Sequence, residues 1–150
     1  MNLRLLGTAG LVAAFTLTAC GSSGGGALSK ADFATQGNAI CSASHAKLKA
    51  LTQPQSAADL STYLSSAATI VSGSVEAIAA LKAPSDYASD AAKLVADGRS
   101  EVAAVNAAAA QAKAGDTQGA LTAMQKVGAT DAADNALATK IGLTECAVSN

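Results

Sequence analysis

"SAADLSTYLSSAATIVSGSVEAIAALKAPSD" spans residues 56–86, and its spacing decides the fold class. Leu60, Leu64, Ala67, Val71, Ser74, Ile78 and Leu81 recur at alternating three- and four-residue steps, the period of one helix face. Ser56, followed three residues later by Asp59, is an acidic version of the capping box and marks the start. Pro84 pushes the residue before it out of the helical region and marks the stop.

The same grammar repeats on both sides. Ser29 with Asp32 opens a first helix that runs to about Leu51, carries Phe33, Gly37, Ile40, Ser44, Leu48 and Leu51 on one face, and ends at "TQPQ" with Pro54. A third helix starts near Ser85, with Asp86 and Asp90 in its early turns where the macrodipole favours anions. It carries Tyr87, Ala91, Leu94, Gly98, Val102, Val105 and Ala109, and ends at Lys113 before Gly115. Asp116 caps a fourth helix reaching Ile141 and stopping at Gly142. Its stripe of Leu121, Met124, Gly128, Leu137 and Ile141 is poorer, and "GAT" at 128–130 is a point at which it can kink or split.

Alanine is the strongest helix former, and apolar runs at period two are missing. The expectation is an all-α domain over 29–150. Four helices of about 23–29 residues with short connections favour an up-down-up-down four-helix bundle. Alanine and glycine bury little area each, and area sets the hydrophobic contribution at about 25 cal/mol per Å². Such a core calls for a further staple.

The chain opens differently. One cation, Arg4, precedes an uncharged apolar run from Leu5 to Ala19, the layout of a secretory signal and shorter than the ~20 residues of a membrane span. Leu17-Thr18-Ala19-Cys20 then resembles the lipobox of bacterial lipoproteins at all four positions. That resemblance implies a lipoprotein signal peptide at 1–19 that is cut in front of Cys20, and a lipidated Cys20 at the extracytoplasmic face of the cell membrane. Each buried methylene contributes about 0.8 kcal/mol, so two or three acyl chains anchor stably where one does not. "GSSGGGAL" at 21–28 is a flexible tether with a span of roughly 16 Å.

Composition excludes several classes of partner. Cutting before Cys20 removes Arg4 from the ten basic residues and none of the eleven acidic ones, which leaves a net charge near −2. Nucleic acid and anionic lipid surfaces both call for a basic face. Only Phe33, Tyr63 and Tyr87 remain as aromatics, so no stacking platform is expected. There is no G-x-S-x-G elbow, P-loop, H-E-x-x-H or dinucleotide turn, and neither an enzyme nor a cofactor is expected. Asp86, Asp90, Asp97 and Glu101 interleave with Lys93 and Arg99 and read as a solvated helix surface, because the stripes themselves are apolar.

With Cys20 consumed, Cys41 and Cys146 remain, an even number in an exported chain. Two readings stay open. A disulfide closing a loop of about 100 residues is the missing staple, worth about 4.7 kcal/mol in the chain-entropy model and often less. Alternatively Cys41 and His45, at i and i+4, join Cys146 and Glu145 in a metal site. The disulfide is preferred, since exported thiols usually oxidise.

"ADFATQGNAIC" at 31–41 and "IGLTEC" at 141–146 resemble the terminal signatures of a group of small alanine-rich helical lipoproteins and secreted proteins of actinobacteria. The matches are Asp32, Phe33, Ala39, Ile40, Cys41, Gly142, Leu143 and Cys146. The resemblance implies a helical bundle and a paired Cys41 and Cys146; it carries no activity. The functional expectation is therefore a non-catalytic, membrane-anchored envelope lipoprotein that binds a protein partner or a small ligand, with the exposed faces of the second and third helices as its contact surface. The alternative is a metal or small-molecule carrier using Cys41, His45 and Cys146.

Overall fold

The computed structural model describes residues 26–129 and 131–147. Cys20 and most of the tether lie outside the described residues. Among those described the fold is all-helical and holds no strand.

Helix α1 spans Lys30–Lys49 and α2 spans Ala57–Ala80. A single 3₁₀ turn, Ser85–Tyr87, leads into α3 at Ala88–Lys113. Helix α4 is Thr117–Gly128, α5 is Asp131–Lys140, and a 3₁₀ turn at Thr144–Ala147 closes the described chain.

The starts form as their sequences dictate. Ser29 Oγ accepts from Asp32 N at 3.1 Å and donates to the Asp32 carboxylate at 2.6 Å. Ser56 and Asp59 repeat that exchange, and Gln55 N–H adds a third contact to Asp59. Asp116 caps α4 by accepting from Gly119 N at 2.8 Å. Two helices end in the same way. Gly115 and Gly142 adopt left-handed backbone, φ 87° and 83°, where glycine carries no Cβ penalty. The following amides then turn back, Asp116 N to Gln111 O and Leu143 N to Ala138 O, each 2.9 Å, which is the Schellman closure.

α2 and α3 form the central antiparallel pair. Ser61 Oγ donates to Ala109 O at 3.0 Å toward one end, and Arg99 donates twice to Glu76, both at 2.8 Å, toward the other. Gly98 lets them close: a Cβ there would stand 2.8 Å from Val75 Cγ2. α1 packs on α2, while α4 and α5 pack on α3.

The fourth expected helix is divided, and its division explains why its stripe reads poorly. α4 and α5 hold 12 and 10 residues, so the expectation of four matched lengths fails for this limb. Leu121, assigned to the core, is 47% exposed, and Gly128 is exposed as well. α4 buries Ala120 instead, with Ala123 and Met124 packed beside it.

The core falls into two clusters. One gathers Phe33, Cys41, Ile78, Ala91, Val95, Ala138, Ile141 and Leu143. The other gathers Leu64, Ala108, Ala109, Ala112 and Ala120. Between them along the α2–α3 pair lie Val71, Val75, Gly98 and Glu101, none fully buried.

Candidate functional site

The interval between the clusters is a cavity of about 460 Å³. α1 contributes Cys41, Ser44, His45 and Leu48; α2 contributes Val71, Ser74 and Val75; α3 contributes Leu94, Gly98 and Glu101. Met124 of α4, Asp131, Asp134 and Asn135 of α5, and Cys146 complete the wall. The break between α4 and α5 is what admits α5 here. A continuous straight helix would have carried one face past the cavity, whereas a fresh start at Asp131 presents two acidic residues of a first turn to it.

One part of the wall is the staple. Cys41 and Cys146 are joined as a disulfide across a separation of 105 residues, with Cα atoms 5.1 Å apart. Asn38, which sequence reading passed over, makes a second clasp at the same place. Its Nδ2 donates to Gly142 O at 3.0 Å and its Oδ1 accepts from Glu145 N at 2.9 Å. Both bonds reach across more than a hundred residues, and no local pattern signals such a contact.

With both sulfurs bonded to each other, neither is a thiolate, so the alternative metal set of Cys41, His45 and Cys146 does not form in this oxidised state. Among the described residues no group of three His, Cys, Asp or Glu side chains is arranged to hold a metal ion. His45 is half-buried and lines the cavity.

The carboxylates correct a second expectation. Glu101 and Asp134 are half-buried rather than solvated, and both line the cavity. Asp134 faces Glu101 and Asp97 within hydrogen-bonding reach. Burial, and then the neighbouring Asp97, hold Asp134 above the ordinary aspartate range, while Glu101 and Lys93 act the other way. Lys93 is committed to Asp97 at 2.6 Å, and neither lysine nor arginine lines the cavity among the described residues. The i to i+4 step from Asp97 to Glu101 put both carboxylates on one face of α3; what the sequence does not announce is that α5 covers that face.

Ser44 is the one buried polar residue among those described, 8% exposed. No buried polar side-chain atom is left unsatisfied among the described residues, and Ser44 lines both this cavity and a second one between α1 and α2. The site thus combines aliphatic walls with three carboxylates, Glu101, Asp131 and Asp134.

No family model matches the chain, and no curated protein or solved structure does.

Proposed function

We propose that the chain is a lipid-anchored protein of the bacterial cell envelope whose helical domain holds a small ligand in the cavity between the two core clusters. The observation that carries this reading is the cavity itself, about 460 Å³, within the range of small-molecule sites and walled by apolar side chains with a few convergent polar groups. The Leu17-Thr18-Ala19-Cys20 sequence supports a signal at 1–19, cleavage before Cys20 and diacylglycerol on its thiol. The Cys41–Cys146 pairing supports an oxidising compartment outside the cytoplasm. Among the described residues no helix is long and apolar enough to cross a membrane, so a membrane position rests on the lipid.

The domain is read as an up-down-up-down bundle whose last limb is broken into α4 and α5. The antiparallel α2–α3 contacts and the return of Cys146 to Cys41 support it. A small ligand is preferred over a protein partner on the exposed faces of α2 and α3, since the cavity is walled by all five helices and suits a guest of limited size.

Native purification from the membrane, followed by mass spectrometry, tests this reading. A diacylated Cys20 at the N-terminus and a released small molecule are the expected results. An N-terminus elsewhere removes the anchor, and a stoichiometric protein partner with an empty cavity removes the ligand reading.

A further inference from the structure

The start of the domain is fastened at one end of the helices. Leu28 packs against the first core cluster, and its N–H donates to Lys82 O at 2.8 Å. Lys30 Nζ lies 2.8 Å from the Asp86 carboxylate and 4.9 Å over the Tyr87 ring. Lys140 reaches Asp90 at 2.7 Å, which brings the end of α5 to the same place. This end therefore gathers the start of α1, the turn between α2 and α3, and the last turn of α5. The opposite end holds the turn at 50–56, between α1 and α2, and the one at Gly115, between α3 and α4. α2 runs the whole way with 24 residues, so the two ends stand about 36 Å apart.

Leu28 is the peg that fixes the length of the leash. From Cys20 to Leu28 the chain takes eight residue steps, and no conformation carries that number beyond about 29 Å. A domain standing on its 50–56 end would hold Leu28 about 36 Å above the surface, out of that reach. Charge alone would favour the forbidden pose on an anionic surface. The 50–56 end carries Lys47, Lys49 and Lys113 against Asp59 and Asp116, whereas Lys30 and Lys140 at the pegged end are paired with Asp86 and Asp90. A covalent limit on distance outweighs an exposed charge imbalance that salt screens within about 10 Å.

We infer that the domain meets the bilayer with its pegged end, the surface made by Leu28, Lys30, the turn between α2 and α3 and the last turn of α5, and turns the 50–56 and Gly115 end outward. This rests on the reading of Cys20 as the lipidated residue. The partner of this surface is the lipid headgroup layer whatever its charge, because the leash and not attraction sets the pose.

Energy transfer from the protein to the membrane surface tests the orientation. The full lipidated chain is placed in phosphatidylcholine vesicles that carry an acceptor dye on a fraction of their headgroups. A donor dye is attached through Ser85→Cys at the pegged end or Gln53→Cys at the other. Both positions are exposed, and the native cysteines are closed to the dye, Cys20 by lipid and the other two by their disulfide. The donor at 85 is expected to lose more of its emission than the donor at 53. Eight further Gly/Ser residues between Gly26 and Ala27 double the reach to about 58 Å, and the difference between the two labels should then shrink.

Equal loss at both positions, or a greater loss at 53, overturns the orientation and leaves the anchor standing, since the chain still floats with the vesicles. A difference that survives the longer leash in full overturns the leash as its cause. A chain that does not float with the vesicles overturns the anchor reading together with the inference.

Discussion

Leu143 places its Cδ2 where a Cβ on Gly37 would stand, and both residues are buried. The contact joins the first helix to the turn after the last one, beside the disulfide and the Asn38 clasp. Gly37→Ala gains the helix propensity of alanine but forces Leu143, which has no exposure at all, out of its position. Overpacking of about 1–3 kcal/mol outweighs a propensity gain of about 0.5–1 kcal/mol, so the variant should melt lower. Gly73→Ala is the control: nothing stands within 4 Å of its Cβ, and it should raise stability by about 0.5–1 kcal/mol. Thermal denaturation of the two variants side by side reads the difference.

Reduction of the Cys41–Cys146 disulfide should lower stability by about 2–5 kcal/mol, as expected for a closure of this length. Helical circular dichroism below the transition should persist, since Asn38 and Leu143 still hold the closing turn to α1. Asn38→Ala removes both clasp bonds and leaves Gly142 O and Glu145 N to solvent, at a loss of about 1–2 kcal/mol. The loss should be larger in the reduced protein, where no covalent link restrains the turn. A double comparison, oxidised and reduced, with and without Asn38, measures that coupling.

The pH dependence should carry the mark of Asp134. Its folded value is raised, chiefly by burial, so the native state keeps this proton over a range in which the unfolded chain has lost it. Its contribution to stability is therefore present at low pH and falls as pH rises above about 4, through the folded value. Asp86 and Glu76 act in the opposite sense. Hydrogen bonds from Lys30 and Arg99 hold them below their ordinary range, and their contributions are lost as pH falls. Subtracting the profile of Asp134→Asn from that of the native protein isolates the falling slope. A variant with an unchanged profile would show that Asp134 is as solvated folded as unfolded.

Lipidation should be a property of one sulfur. Cys20→Ser should abolish the diacyl modification and leave an unprocessed precursor, while the Cys41–Cys146 pair and the helical signal stay intact. Metabolic labelling with a radioactive fatty acid, followed by gel analysis, gives the result directly; label retained by the variant contradicts the assignment.

Much of this architecture is legible in the sequence where local chemistry governs it. Ser29, Ser56 and Asp116 announce three starts because a capping side chain bonds within its own first turn. Gly115 and Gly142 announce two ends because only glycine enters left-handed backbone without penalty. The stripes of α1, α2 and α3 name Phe33, Leu64, Ile78, Ala91 and Ala109 of the core but miss Cys41, Val95, Ala68, Ala108 and Ala112, the alanines because alanine fills every face of these helices and carries no contrast. The last limb misleads for the same reason. Its helices bury Ala120 and Ala138 while Leu121 points outward, and of its stripe only Ile141, at the very end, is fully buried. The cavity is the least legible feature, because it is an interval between two clusters and depends on where α5 lands. Glu101 on α3 reads as a surface residue until α5 brings Asp134 against it.

The central claim is that this interval takes a guest, and methyl-selective nuclear magnetic resonance during a titration with 1-hexanol, a small apolar probe with one polar end, tests it most directly. The account predicts saturable shifts confined to the methyl groups of Leu48, Val71, Val75, Leu94 and Met124, with Leu64 and Leu121 unmoved. Shifts that never saturate, or that spread over exposed Leu121 and the second core cluster, would contradict it.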